Sequence, residues 1–306
     1  MTIFFSLFAR IIPLYVIIVL GSIAGRYLAV PKESIARLLI YIIVPIVVFS
    51  SALSVELSAG TLLLPMVVAG IASTICLSTY AITRRIWKGS EVNILSYASG
   101  SGNFGYFGLP VAIALFGPEV GALMIVGSLG GNIFKNTLGF YITARGTHTV
   151  RESLIKLSRL PTLYAFAIGI ALNAAGIHPG PIFNNFALLF KGAFSVLGMM
   201  LIGLGLAGIK SYRLDLSFIS ITLIARFLVW PAMMALFLTA DASLLHIFSP
   251  DARHILNLIS IVPIAANVVA FATELRMHPD KAATAVIIST LFALVYIPLY
   301  VSIFAL

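Results

Sequence analysis

The 306-residue sequence predicts an all-α polytopic membrane protein of about ten transmembrane helices, disposed as two inverted five-helix repeats in which helices 4 and 9 are broken. Three observations predict it. Apolar runs of about 20 residues, the length a helix needs to cross hydrocarbon, recur from Ile11 almost to Leu306. Lys and Arg collect in alternate loops, and the second half of the chain repeats features of the first. Composition agrees: 60% of residues are hydrophobic and 9% charged, against roughly 25% charged in a soluble domain.

The runs place spans near 8–28, 34–53, 61–83, 91–116, 119–144, 160–177, 182–208, 216–239, 253–275 and 280–304. The first is long, follows only Arg10 and precedes many similar runs, so it reads as a permanent span rather than a signal peptide. The loops after spans 1, 3, 5, 7 and 9 hold fourteen of the nineteen basic residues: Arg26, Lys32, Arg37, Arg84, Arg85, Lys88, Arg145, Arg151, Lys156, Arg159, Lys210, Arg213, Arg276 and Lys281. The opposite side has Arg10 and Arg253. The positive-inside rule then puts both termini on the periplasmic side of an inner membrane.

Leu115, Gly117, Pro118, Glu119 and Ala122 are followed 161 residues later by Arg276, His278, Pro279, Asp280 and Ala283, so a turn of form x-Pro-acid opens spans 5 and 10 alike. Ile94 and Leu95 match Ile255 and Leu256 at the same offset, and Pro13-Leu14-Tyr15 loosely matches Pro161-Thr162-Leu163-Tyr164. Five spans per half is an odd number, so the second half enters the membrane from the other side. That is the inverted repeat of alternating-access carriers. The expected division is a first repeat at 1–145, a short basic cytoplasmic linker at 146–159 that leaves no soluble domain between the halves, and a second repeat at 160–306.

Several function classes are disfavoured. The net charge of +9 comes from loops scattered between spans, so it reflects topology and not nucleic-acid binding. Cys76 stands alone in an apolar run, and the five histidines have no ligand spacing, so no cofactor or metal is expected. Gly100-Ser101-Gly102-Asn103-Phe104-Gly105 and Gly203-Leu204-Gly205-Leu206-Ala207-Gly208 both fit G-x-G-x-x-G but lack the βαβ context of a dinucleotide site. The second copy, with Gly21/Gly25 and Gly127/Gly131, reads as close helix contact. No P-loop and no converging nucleophile, base and acid are evident, so neither ATP-driven transport nor an intramembrane enzyme is indicated.

The chemistry is expected where helices are interrupted near mid-membrane and free backbone groups face a cavity. Span 4 runs Ser99-Gly100-Ser101-Gly102-Asn103-Phe104-Gly105-Tyr106-Phe107-Gly108-Leu109-Pro110. Each Gly costs a helix about 1 kcal/mol and an interior Pro about 3 kcal/mol, so this span breaks. Span 9, with Pro263, Ala266 and Asn267, predicts a milder break. Half-helices ending there expose N–H groups and a positive dipole end, which suit a carboxylate. The amides of Asn103 and Asn267 can add donors, with capping of the broken helix the lesser alternative for Asn103. A cation inside a span costs roughly 2.5–3.5 kcal/mol, which singles out Lys135, Lys191 and Arg226. Lys135 follows Gly130-Gly131-Asn132 and precedes Asn136, a polar patch that can border the cavity.

These residues resemble a known family. GNFGYFGLPVAIALFG in span 4, PIAANVVAFATELRMHPDKAATAVI from Pro263 to Ile287, and YIIVPIVVFSSALS from Tyr41 to Ser54 are similar to the auxin efflux carrier family, over essentially the whole chain. The resemblance implies two five-helix repeats whose helices 4 and 9 cross where both are unwound, with Asn103 and Pro110 marking one and Pro263 the other. It also implies carriage of organic anions such as dicarboxylates or indole acetate. Two departures separate this chain from the plant members: Val268 stands where they have a second proline, and their long hydrophilic loop between halves is missing.

The substrate site is therefore expected at Gly102, Asn103, Phe104, Gly105, Pro110, Asn132, Lys135, Pro263, Ala266 and Asn267, with a small organic anion and the lipid bilayer as partners and no nucleic acid. A sodium-coupled carrier of the bile-acid symporter kind is the alternative, and a membrane sensor the more distant one. Proton or sodium coupling and homodimerisation are both left open. The topology is testable by placing a cysteine in the 145–159 loop. It should resist membrane-impermeant maleimide added to intact cells, whereas ready labelling would invert the orientation.

Overall fold

The computed structural model describes residues 2–87, 89–143, 161–208, 214–274 and 277–304. The linker 146–159 and Lys88, Arg145, Lys210, Arg213 and Arg276 lie outside them. The regular elements among the described residues are helical: α1 Thr2–Tyr27, α2 Lys32–Ser54, α3 Ala59–Thr83, α4 Glu91–Gly100, α5 Phe104–Phe116, α6 Pro118–Phe134 with its continuation through a π-turn Lys135–Gly139 to Phe140–Thr143, α7 Pro161–Ala174, α8 Pro181–Ala207, α9 Leu216–Leu245, α10 Pro250–Ile261, α11 Asn267–Glu274 and α12 Pro279–Phe304. Six of these, α1, α2, α3, α8, α9 and α12, are long and apolar enough to cross a membrane, while α5 and α7 are shorter apolar helices. Large apolar side chains such as Ile182, Leu189 and Leu236 point outward and are largely uncovered. Only lipid makes such a surface affordable. The chain is a multi-pass membrane protein.

Helix starts follow their sequence signals. Ser58 Oγ accepts from Thr61 N–H at 3.1 Å, Asp215 Oδ1 from Phe218 N–H at 3.0 Å, and Ser249 Oγ from Ala252 N–H at 3.3 Å, so α3, α9 and α10 each open on a capping side chain. Lys281 Nζ lies 2.6 Å from both Glu91 Oε2 and Asp215 Oδ2. This triad brings the first turns of α4, α9 and α12 to one face of the molecule. Lys281 and the Phe218 N–H hold the Asp215 carboxyl below the ordinary carboxylate range.

Close packing concentrates on three helix pairs, α1 with α8, α2 with α7 and α3 with α6. A Cβ on Gly21 would collide with the backbone of Met200, and one on Gly203 with the carbonyl of Ile18. Ser22 Oγ adds a hydrogen bond to the Gly203 carbonyl at 3.0 Å. On the second pair Gly169 lies against the Phe49 carbonyl, and Asn173 Nδ2 donates to the carbonyls of Ala52 and Val55 at 3.0 and 2.7 Å. Gly127 and Gly131 serve the contacts of α6 with α10 and α5, where they make room for the side chains of Ile259 and Phe104. Gly205 has no neighbour in that range, so the second G-x-G-x-x-G serves contact chiefly through Gly203.

Between α4 and α5 the backbone leaves the helix at Ser101–Asn103, and between α10 and α11 it does so at Val262–Ala266. The second interruption is the longer, contrary to the milder break expected from its lower Gly content. Pro263 explains this, because it has no N–H to donate and forces Val262 into extended backbone, observed at φ −69°, ψ 154°. Corresponding points keep the 161-residue offset: α4 and α10 end at Gly100 and Ile261, α6 and α12 start at Pro118 and Pro279, and Gly117 and His278 both have positive φ, 91° and 48°.

Candidate functional site

The two interruptions meet. Gly102 and Ile264 form an isolated antiparallel bridge, in which Asn103 N–H donates to the Pro263 carbonyl at 2.8 Å and Ala265 N–H to the Ser101 carbonyl at 3.4 Å. Continued as a helix, the chain would send Asn103 N–H to Ser99 O. Pairing with Pro263 therefore orphans the Ser99 carbonyl, and the missing N–H of Pro263 orphans that of Ile259.

Helix α9 supplies both absent donors. Trp230 Nε1 donates to Ser99 O at 2.9 Å, while Arg226 donates through Nε to Val262 O and through Nη2 to Ile259 O. The two side chains are four residues apart and share a face of α9, where a π-turn at Ala225–Val229 sets their register. The Arg226 guanidinium carbon lies 4.6 Å from the Trp230 ring centroid and 5.4 Å from that of Phe104. Gly102 must be glycine for this arrangement, since a Cβ there would sit 2.9 Å from Arg226 Nη2 and against the Phe104 ring. On the opposite strand Ser289 Oγ of α12 accepts from Ile264 N–H at 3.1 Å.

A cavity of about 170 Å³ opens beside the bridge. Of the sequence-predicted residues, Gly102, Asn103, Phe104, Gly105, Asn132, Lys135, Ala266 and Asn267 border it. Pro110 and Pro263 do not: Pro110 is buried in the first turn after the π-turn Phe104–Gly108, and Pro263 acts through its carbonyl. Lys191 is also away from the cavity wall. Asn103 is 5% exposed and its side chain makes no capping hydrogen bond, so the capping use weighed for it is not realised here.

Electrostatically the cavity is one-sided. Lys135 is the one charged residue on its wall, and no Asp or Glu borders it among the described residues. The Lys135 ammonium donates to Asn132 Oδ1 at 3.1 Å and has no acidic partner among the described residues. The hydroxyls of Tyr97 and Ser101, buried on the same wall, lie near each other and neither makes a hydrogen bond of ordinary geometry. The wall thus carries one positive charge, no negative one among the described residues, and hydroxyl and amide groups that can either donate or accept.

Tyr97, Ser101 and Trp230 were not singled out from sequence. The legible signal for Trp230 was its i, i+4 spacing from an intramembrane arginine. Tyr97 and Ser101 carry no comparable signal. A second cavity, of about 270 Å³, shares Tyr106, Ala266 and Asn267 with the first and reaches Lys32 and Glu33 at the start of α2. Tyr106 packs on Phe194 of α8 at a ring separation of 5.7 Å.

Comparison with known proteins finds matches that run over nearly the whole chain. A family model described as membrane transport protein matches residues 6–301. An uncharacterized transporter of Methanocaldococcus jannaschii is 26% identical over 305 residues, covering 95% of this chain and 96% of the relative. Another, of Methanothermobacter thermautotrophicus, is 24% identical over 294 residues, covering 94% and 92%.

The α9 contact to Ser99 yields a direct prediction. Trp230→Phe keeps the aromatic packing but removes the N–H, leaving a buried carbonyl unpaired at a cost of about 1–3 kcal/mol. Its melting temperature should fall below that of the wild type, and an unchanged melt would mean that the bond contributes nothing.

Proposed function

This chain belongs to the membrane transport protein family, that of the auxin efflux carriers, and we propose that it is a secondary transporter that carries a small organic anion, a mono- or dicarboxylate, across the inner membrane by alternating access. The observation that carries the reading is the cavity at the paired interruptions, walled by Lys135, Asn103, Asn132 and Asn267 and by no carboxylate among the described residues. A cation would meet the repulsion of Lys135 there with no carboxylate among the described residues to offset it. A carboxylate would gain an ammonium and several amide or hydroxyl donors. Its volume, below the range of about 300–1,000 Å³ usual for drug-sized ligands, favours a small substrate.

Helix geometry supports the same ligand. α5 begins at the interruption, and its first N–H groups precede any intrahelical acceptor, so the positive end of its dipole lies beside the cavity. Asn103, buried, uncapped and one residue before that start, is the side chain best placed to complete a carboxylate site. Two inverted five-helix repeats, divided near 145 and 160, account for the recurring 161-residue offset. They also account for the exchange of partners by which span 1 packs on span 7 and span 6 on span 2. Such a repeat gives the cavity two symmetry-related ways of facing the two sides of the membrane. Both termini are then periplasmic.

Asn103→Ala tests the site. Removing one hydrogen bond to a charged ligand is worth roughly 1.5–3 kcal/mol, a loss of about tenfold or more in affinity. Affinity for malonate and for indole-3-acetate should fall by that factor for whichever the wild-type protein binds, with little change in melting temperature. Intact affinity with a lowered melt would place Asn103 in the scaffold and remove the central donor from the site.

A further inference from the structure

We infer that Arg226 is the resident cation of the crossing: its guanidinium fills the backbone carbonyl site that an alkali cation would otherwise take, so the fold needs no sodium there. The carbonyls at the ends of interrupted membrane helices are where carriers collect sodium, because unpaired oxygens and the negative end of a helix dipole converge. Here those oxygens are Ile259 O and Val262 O, at the last turn of α10, and both accept from Arg226. The side chain is fully buried. Its positive charge has no acidic partner among the described residues and rests between the rings of Trp230 and Phe104.

Two details separate this from an ordinary packed arginine. Nη1 is buried without a hydrogen-bond partner, so the group is held for the fork made by its other two nitrogens and not because every donor is met. And the carbonyl it serves at Ile259 is the one that Pro263 leaves without a donor. Arginine and proline thus act as a pair. The consequence for coupling, sodium-independent transport, rests on the transporter reading above. The occupancy of the carbonyls does not.

The test is built on a substrate-free readout. For the purified wild-type protein in detergent, replacing choline chloride by sodium chloride at equal ionic strength should leave the melting temperature unchanged. Arg226→Ala should melt several degrees lower and recover part of that loss in millimolar guanidinium chloride, far below denaturing concentrations, but not in tetramethylammonium chloride. If Arg226→Ala yields no folded protein, Arg226→Gln, whose amide can serve one of the two carbonyls, should show the same guanidinium-specific gain. Stabilisation of the wild type by sodium overturns the inference, as does an Arg226→Ala melt equal to wild type or a variant indifferent to guanidinium. Proteoliposome uptake of malonate in sodium-free medium separates the two claims. No uptake in either salt counts against the substrate reading while the melting data stand, and uptake that demands sodium counts against the resident cation.

Discussion

The structure turns on one exchange of hydrogen bonds: Asn103 N–H gives up the Ser99 carbonyl within its own helix and takes the Pro263 carbonyl of another. In hydrocarbon every backbone polar group must find a partner inside the protein, so breaking a helix there is allowed only if each orphaned group is met again. The bridge meets Asn103 and Ala265 N–H, Ser289 meets Ile264 N–H, and α9 meets the carbonyls of Ser99, Ile259 and Val262. Once these are satisfied, the start of α5 and the side chain of Asn103 remain free beside a cavity. The break that the fold must repair is also the one beside which the candidate site lies.

The support is asymmetric although the interruptions are related by a constant offset. Gly102 and Asn103 correspond to Pro263 and Ile264 at 161 residues, and the bridge pairs each with the counterpart of the other. The positions matching Arg226 and Trp230 on α3 are Pro65 and Ala69, which carry no side-chain donor. One helix of the second half therefore stabilises the breaks of both halves. Gly130 meets Pro65 differently, by letting α6 approach its carbonyl.

Much of this was legible in the sequence because bilayer thickness and backbone chemistry leave few alternatives. Apolar length located the six helices long enough to cross a membrane, the Gly-rich stretch located the first interruption, and x-Pro-acid turns at Pro118 and Pro279 located the offset. Pro263 was legible as a breaker, but the extent of its break was underestimated. Counting glycines weighs backbone entropy, whereas one proline in a membrane removes a donor outright and constrains its predecessor. What could not be read was long-range pairing. Nothing local tells that Trp230 reaches Ser99, 131 residues away, or that Arg226 meets carbonyls instead of snorkelling to a membrane face.

The anion reading depends on a contrast within the membrane: Arg226, fully buried, has its donors committed to carbonyls, whereas Lys135, half-buried, faces open space. Arg226 serves the backbone. Lys135, held by Asn132 alone, faces the cavity with charge to spare. The most direct test of the whole account is a cryo-EM map of the protein with a transported carboxylate bound. The account predicts ligand density within the cavity, against Asn103, Asn132 and Lys135, with Gly102 and Ile264 still bridged. Density elsewhere, for instance in the groove that Leu228, Leu299 and Ile303 line between α9 and α12, or α4 continuous with α5 and α10 with α11, would contradict it.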